Sequence, residues 1–195
     1  TAFSSETLLN APLFLRIQTV YESEGKDLAL EAQRLLKETY ESFVRNGAAL
    51  KGDDRNRLTV LNEELSTLSL TFGEHILSET KAFHYHTASA EDLQGIPEDV
   101  VESAAQLAEQ HGKEGYVLGL DMPTYMSVMK YADRSELRAH FYRAYGSRGA
   151  KENENNNEQV ITDLVNKRIE RAQLLGFDSH AQLTLSKRMA KTPHT

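Results

Sequence analysis

Leu58-Thr-Val-Leu61-Asn-Glu-Glu-Leu65-Ser-Thr-Leu68-Ser-Leu-Thr-Phe72-Gly-Glu-His-Ile76 decides the fold class. Its apolar residues recur in steps of three and four, which puts Leu58, Leu61, Leu65, Leu68, Phe72 and Ile76 on one stripe of an α-helix. A Gly-Asp-Asp turn at 52–54 precedes the stripe, and the spacing predicts a helix over about 54–80. At 1.5 Å of rise per residue such a helix is roughly 40 Å long. A helix of that length with a single apolar stripe needs other helices to lie against.

The flanking sequence supplies them. Upstream, Asn10 is placed to cap a helix with Pro12 in its first turn, carrying Leu13, Ile17, Val20 and Glu24 at helical spacing and stopping at Gly25. A second helix is predicted over 27–46, from Asp27, burying Leu28, Ala32, Leu35, Leu36, Tyr40 and Phe43, with Gly47 as its left-handed C-terminal residue. Downstream the period changes to two. Phe83 and Tyr85 alternate with His84 and His86, and Tyr116-Val-Leu-Gly-Leu120 is the other extended run. These predict an antiparallel pair of strands over 83–87 and 116–120. Between them Pro97 opens a helix that runs to about Gln110 and ends at Gly112.

Helical spacing then resumes. Pro123 starts a short helix with Tyr125, Val128 and Met129; Asp133-Arg-Ser-Glu136 has capping-box spacing ahead of Leu137, Phe141 and Tyr145. The polar run Lys151-Glu-Asn-Glu-Asn-Asn-Asn157 reads as a loop. Ile161, Leu164, Arg168, Ala172 and Leu175 mark another helix ended by Gly176, and Asp178 is placed to cap a last one that stops near Thr192-Pro193. The expected fold class is all-α: a multi-helix array of seven or eight helices, with one long helix (about 54–80) and a minor two-stranded antiparallel patch. No repeat or linker interrupts it, so 1–195 is expected to be a single helical fragment.

Composition narrows the function classes. The 195 residues hold 22 Lys+Arg against 29 Asp+Glu, a net charge of −7, which disfavours nucleic acid as a partner. No window approaches a membrane span of roughly 18 apolar residues. Cysteine is absent, so disulfides, thiolate zinc sites and cysteine nucleophiles are excluded. That absence fits a reducing compartment; the cytoplasm is expected, with the periplasm left open. The chain opens on Thr1 without a signal-peptide pattern, and is expected to be cut from a longer protein.

The chemistry-bearing residues form no recognisable site. None of His75, His84, His86, His111, His140, His180 and His194 is followed by Glu, so His-Glu-x-x-His is missing. No glycine-rich phosphate loop, nucleophile elbow or acidic calcium loop is present. His84 and His86 are the one weak candidate metal pair, since positions i and i+2 share a strand face. Two ligands hold zinc poorly, and a solvated strand face with Phe83 and Tyr85 turned inward explains the pair as well. His75, beside the Phe72–Ile76 stripe, reads as a structural histidine. Tyr116, Tyr125, Tyr131, Tyr142 and Tyr145 read as packing residues with hydroxyls at the rim. Arg134, Arg138, Arg143 and Arg148 form a charged face that also suits clamping a carboxylate or phosphate. No catalytic position is assigned.

Several segments, in order, resemble the thimet-oligopeptidase-like zinc metallopeptidases. They are Glu38-Thr-Tyr-Glu-Ser-Phe-Val-Arg-Asn-Gly-Ala48, Leu61-Asn-Glu-Glu-Leu-Ser-Thr-Leu-Ser-Leu-Thr-Phe72, Tyr131-Ala-Asp-Arg-Ser-Glu-Leu-Arg138, Ala144-Tyr-Gly-Ser-Arg-Gly149, Arg171-Ala-Gln-Leu-Leu-Gly-Phe177 and Met189-Ala-Lys-Thr-Pro193. The likeness covers about 3–193. Within the family, Phe43-Val-Arg-Asn-Gly and Ser147-Arg-Gly look like the bacterial peptidyl-dipeptidases (dipeptidyl carboxypeptidases). Asp121-Met-Pro-Thr-Tyr-Met-Ser-Val-Met129 looks like oligopeptidase A.

The resemblance implies a helical two-lobed peptidase with zinc on the floor of a deep channel that admits short peptides. It implies His-Glu-x-x-His with a downstream glutamate ligand, the motif glutamate acting as general base on the zinc-bound water, and tyrosine and histidine assisting from the far C-terminal part. All of these lie beyond the matched region. The chain is therefore expected to be a non-catalytic piece from the first half, before the zinc motif, inactive alone and without zinc. Its expected partner is the catalytic lobe of the same protein. Met122, Tyr125, Met126, Met129, Leu183, Leu185 and Met189 are the apolar residues expected to be stranded without it, with self-association at high concentration as the consequence. The alternative is a free-standing helical interaction module without enzymatic role.

Overall fold

A computed structural model describes residues 7–23 and 28–194. Glu24, Gly25 and Asp27, where the sequence places the end of one helix and the start of the next, lie outside the described residues. The described chain is mostly α, with eight α-helices and one two-stranded sheet. In order these are α1 (Ala11–Ser23), α2 (Leu30–Arg45), α3 (Gly52–Ala82), β1 (Tyr85–Thr87), a 3-10 turn (Ala90–Leu93), α4 (Glu98–Gln110), β2 (Tyr116–Leu118), α5 (Met122–Tyr131), α6 (Ser135–Gly146), α7 (Glu158–Leu174) and α8 (His180–Leu185). Contacts gather into two compact units, one of residues 1–67 with 163–195 and one of 68–162, whose boundaries fall inside α3 and α7.

The first unit is built on the α1–α2 pair. Asn10 caps α1 by accepting the Leu13 N–H at 2.9 Å. The buried residue of α1 is Phe14, packed with Phe43 and Ala48, while Leu13 and Val20 of the expected stripe are exposed. On α2, Leu35 is 70% exposed, a correction to its expected burial. The period fixes which side chains share a face, but burial requires something to cover that face. Asn46 and Gly47 end α2 with the two bonds of a Schellman motif: Gly47 N–H to the Val44 carbonyl and Ala48 N–H to that of Phe43. Gly47 has φ +91, and a Cβ there would stand 2.0 Å from Leu58 Cδ2, so the helix stop and the seat for a fully buried leucine are one residue. Gly112 and Gly176 close α4 and α7 with the same pair of bonds. Along the part of α3 in this unit, α7 is tied by polar contacts. Arg57 grips Glu170 through two bonds of 2.6 and 2.8 Å, Lys167 donates to Glu64, and Arg171 to Asn62.

Two termini differ from expectation. Ser179, not Asp178, caps α8: its Oγ accepts the Gln182 N–H, and Gln182 Oε1 accepts the Asp178 N–H. That helix stops at Leu185 and does not reach Thr192-Pro193. Beyond it the backbone turns through Arg188 N–H to the Leu185 carbonyl and Lys191 N–H to the Arg188 carbonyl, with Lys191 at φ +63.

The second unit holds the larger core. Leu93, Ile96, Ala104, Leu118, Val128, Leu137 and Phe141 meet there, with Phe83, Tyr85, Tyr125 and Tyr145 packed around them. The antiparallel register pairs Tyr85 with Leu118, His86 with Val117 and Thr87 with Tyr116. The strands are shorter than 83–87 and 116–120, because Phe83 turns onto the Phe141 ring (centroids 5.2 Å) and does not continue the ladder. Gly115, at φ +88, starts β2 where a Cβ would sit 2.4 Å from the Thr87 carbonyl oxygen. The expected capping box at Asp133–Glu136 is not formed. Asp133 N–H donates instead to the Gln94 carbonyl, a long-range bond, and Arg134 takes the cap position without a side-chain bond. Of the residues expected to be stranded, Met122, Met126 and Met189 are exposed; Tyr125, Met129, Leu183 and Leu185 are half-buried.

Candidate functional site

The most unusual local chemistry is a buried carboxylate. Glu79 follows Phe72 and Ile76 at helical spacing on α3, so it continues an apolar stripe, and it is 4% exposed. Helix geometry puts it on that face, and the loop that follows α6 covers it there. Its oxygens are met by the polar loop that follows α6. Gly149 N–H donates to Oε2 at 3.0 Å, Asn153 Nδ2 to Oε1 at 2.8 Å, and Lys151 Nζ stands 3.3 Å from Oε2. One turn away, Asn157 is 0% exposed and clamps the other end of the loop. It donates to the Phe72 carbonyl, accepts from His75 Nδ1 at 2.9 Å, and its backbone N–H reaches the Gly149 carbonyl at 2.7 Å. Gly149 closes the knot at φ +70.

Burial pushes the Glu79 carboxyl up, but the Asn153 amide, the Gly149 N–H and Lys151 outweigh it and hold it below the ordinary carboxylate range. A carboxyl depressed by folding contributes stability above its unfolded value near 4.5 and loses it as pH falls through the folded one. The Gly149 amide is therefore expected to lose hydrogen-exchange protection as pH drops below about 4, after correction for intrinsic exchange. Glu79→Gln is expected to flatten that dependence. Protection that is constant between about pH 7 and pH 3 in the unsubstituted chain would contradict the anchoring role.

The histidines fall in separate places. His75 is the structural histidine expected from the sequence, held by Asn157. His84 lies outside the strand with its ring against His111 (centroids 4.5 Å), and His86 sits in β1 with Nε2–H donating to the Glu114 carbonyl at 2.8 Å. Both are exposed, while Phe83 and Tyr85 pack inward. With its Nε2 committed as a donor, His86 offers only Nδ1. Among the described residues no group of three or more His, Cys, Asp or Glu is placed to hold a metal. The donor set around His84 and His86 does not fit zinc.

A cleft of about 410 Å³ opens in the second unit between α4 and the β2–α5 connection, lined in part by Asp99, Ser103, Gln106, Gln110, Asp121 and Thr124. Two of its polar side chains are engaged in the fold. The Ser103 hydroxyl donates to the Asp99 carbonyl at 2.8 Å, and Asp121 accepts the Thr124 N–H to cap α5. Neither arrangement is a nucleophile with a base.

Of the arginines read as a charged face, Arg134 pairs with Asp92 and Arg138 donates to the Ala132 and Asp133 carbonyls. Among the described residues Arg148 donates to neutral oxygens only. The buried Glu79 was missed in the sequence; its signal is a charged residue at the next position of an apolar stripe.

The family model described as Peptidase family M3 matches residues 128–195. Oligopeptidase A of Haemophilus influenzae is 30% identical over 190 residues, which cover 95% of this chain and 27% of that protein. Dipeptidyl carboxypeptidase of Salmonella typhimurium is 30% identical over 194 residues, 98% of this chain and 28% of the relative. Oligopeptidase A of Escherichia coli is 33% identical over 155 residues, 77% and 23% respectively. The chain thus spans about a quarter of the length of the first of these relatives. Both kinds of relative align along nearly all of it, and the family model takes in the loop anchored on Glu79 together with α6, α7 and α8: along almost its whole length the chain is similar to members of peptidase family M3.

Proposed function

We propose that this chain is a non-catalytic helical part of a zinc metallopeptidase that hydrolyses short peptides, either by releasing C-terminal dipeptides or by internal cleavage of oligopeptides. The observation that carries the reading is the alignment of 95% of the chain to 27% of an oligopeptidase A. The sequence contains no His-Glu-x-x-His, and of its two candidate ligands His86 has Nε2 committed to the Glu114 carbonyl while the His84 ring lies against His111. Zinc and its general base then belong to polypeptide outside these residues, and no step of the reaction is assigned here. The partner in this reading is that remaining polypeptide, which would cover apolar side chains such as Met189.

The compartment we propose is the cytoplasm, in keeping with the absence of cysteine. No helix among the described residues is long and apolar enough to cross a membrane.

The reading is tested on the natural coding sequence. It is expected to continue past Thr195 into a segment encoding His-Glu-x-x-His. A natural stop codon directly after Thr195 would overturn the reading and favour a free-standing helical module.

A further inference from the structure

Where α5 and α6 meet, three side chains are stacked in series. The Tyr125 and Tyr145 rings lie 4.0 Å apart with their planes 20° from parallel, and Arg148 Cζ lies 3.5 Å from the Tyr145 centroid. Groups that close cannot share one face of a ring, so Tyr125 and Arg148 hold Tyr145 between them. The guanidinium is fixed in its plane as well. Its Nε–H donates to the Tyr145 carbonyl at 3.0 Å and its Nη1 to the Thr80 hydroxyl at 2.8 Å. Among the described residues its bonds go only to these two neutral oxygens, whereas Arg134 faces Asp92, Arg57 faces Glu170 and Lys151 faces Glu79. Arg148 is half-buried, so it has lost part of its hydration without gaining a counter-ion.

A guanidinium in this state is prepared for an anion. Its fork is planar and matches a carboxylate, and the rotamer freedom that binding would otherwise remove is already gone. The ground beside the Tyr145 hydroxyl is apolar: Met122 Sδ lies 3.8 Å from it, and Met122 and Met126 of α5 are 55% and 52% exposed. We propose that Arg148, braced on Tyr145, binds a carboxylate whose neighbouring side chain is apolar or aromatic. The carboxylate meets the Nη2 edge, and the side chain lies on Met122 and Met126. Two sources carry this chemistry, the C-terminal carboxylate of a short peptide and an Asp or Glu side chain of a polypeptide. The inference stands on the stack and on the exposed Met122 and Met126, and is independent of the peptidase reading.

The test is a titration of the 195-residue chain followed at the Arg148 Nε–H signal, which its bond to the Tyr145 carbonyl protects from exchange. N-acetylphenylalanine is expected to shift the signal saturably, at roughly millimolar affinity, while N-acetylphenylalaninamide leaves it in place. N-acetylaspartate amide supplies a side-chain carboxylate; a shift equal to that of N-acetylphenylalanine assigns the seat to polypeptide side chains, and a weaker one assigns it to peptide C-termini. Arg148→Lys is expected to weaken binding by about tenfold, since an ammonium lacks the fork. Met122→Ala with Met126→Ala, both at exposed positions, is expected to weaken N-acetylphenylalanine but not acetate. No saturable shift with either carboxylate, or an equal shift with the amide, would overturn the proposal.

Discussion

Phe141→Ala is expected to lower the thermal midpoint of the chain by about 10 °C, the consequence of losing about 3–5 kcal/mol from the second unit. Phe141 is 0% exposed and is the largest fully buried side chain among the described residues. Its ring meets Phe83 edge-on at 5.2 Å and Tyr85 at 6.0 Å, so it joins α6 to the residues that lead into β1. Truncation removes both contacts and leaves a cavity that a β-strand of three residues cannot close. Calorimetry checks this, and a midpoint lowered by less than about 2 °C would mean that the core is organised elsewhere.

Gly149→Ala is expected to destabilise the chain by about 2–4 kcal/mol, far beyond what one methyl group costs on a surface. At φ +70 the alanine is strained before it meets any neighbour. Its Cβ would then stand 2.6 Å from Asn157 Nδ2 and 2.8 Å from Ile76 Cδ1. Asn157 cannot retreat without giving up the Phe72 carbonyl and His75 while fully buried, which leaves polar groups unpaired. The control is Gly146→Ala at the end of α6, where nothing lies within 4 Å of the new Cβ and φ is not positive. That variant is expected to be neutral or stabilising by up to about 1 kcal/mol. Urea unfolding of the pair checks the contrast; equal midpoints would show that the loop is not held at Gly149.

These expectations also show what a sequence makes legible. Chain-local physics was readable: the stripe from Leu58 to Ile76 predicted α3 to within two residues at each end, and Gly47, Gly112 and Gly176 end their helices because positive φ is cheapest for glycine. Properties set by distant partners were not. Asp133 and Glu136 had the spacing of a capping box, but the Gln94 carbonyl, about forty residues away in sequence, took the Asp133 N–H. Leu35 and Ile161 sit at helical periods yet stay exposed, since periodicity says nothing of whether a face is covered.

Glu79 is the opposite case: a charged residue that reads as solvated in isolation is buried because Gly149, Lys151 and Asn153 supply its hydrogen bonds from about seventy residues downstream. Arg148 stood in the sequence as one of four arginines on a charged face suited to a carboxylate or phosphate, and Gly149 as the end of the segment Ala144-Tyr-Gly-Ser-Arg-Gly149. The ring beneath one and the clamp around the other required coordinates.

The most direct test of the proposed division of labour is the peptidase assay of the pure 195-residue chain with zinc supplied. A quenched short peptide is incubated with the chain, and bound metal is measured after equilibrium dialysis against zinc at neutral pH. The expected result is hydrolysis no faster than buffer and no zinc retained, because the chain offers neither His-Glu-x-x-His nor, among its described residues, a cluster of ligands. Turnover that a chelator abolishes and added zinc restores would contradict it, and would place a complete catalytic centre within these residues.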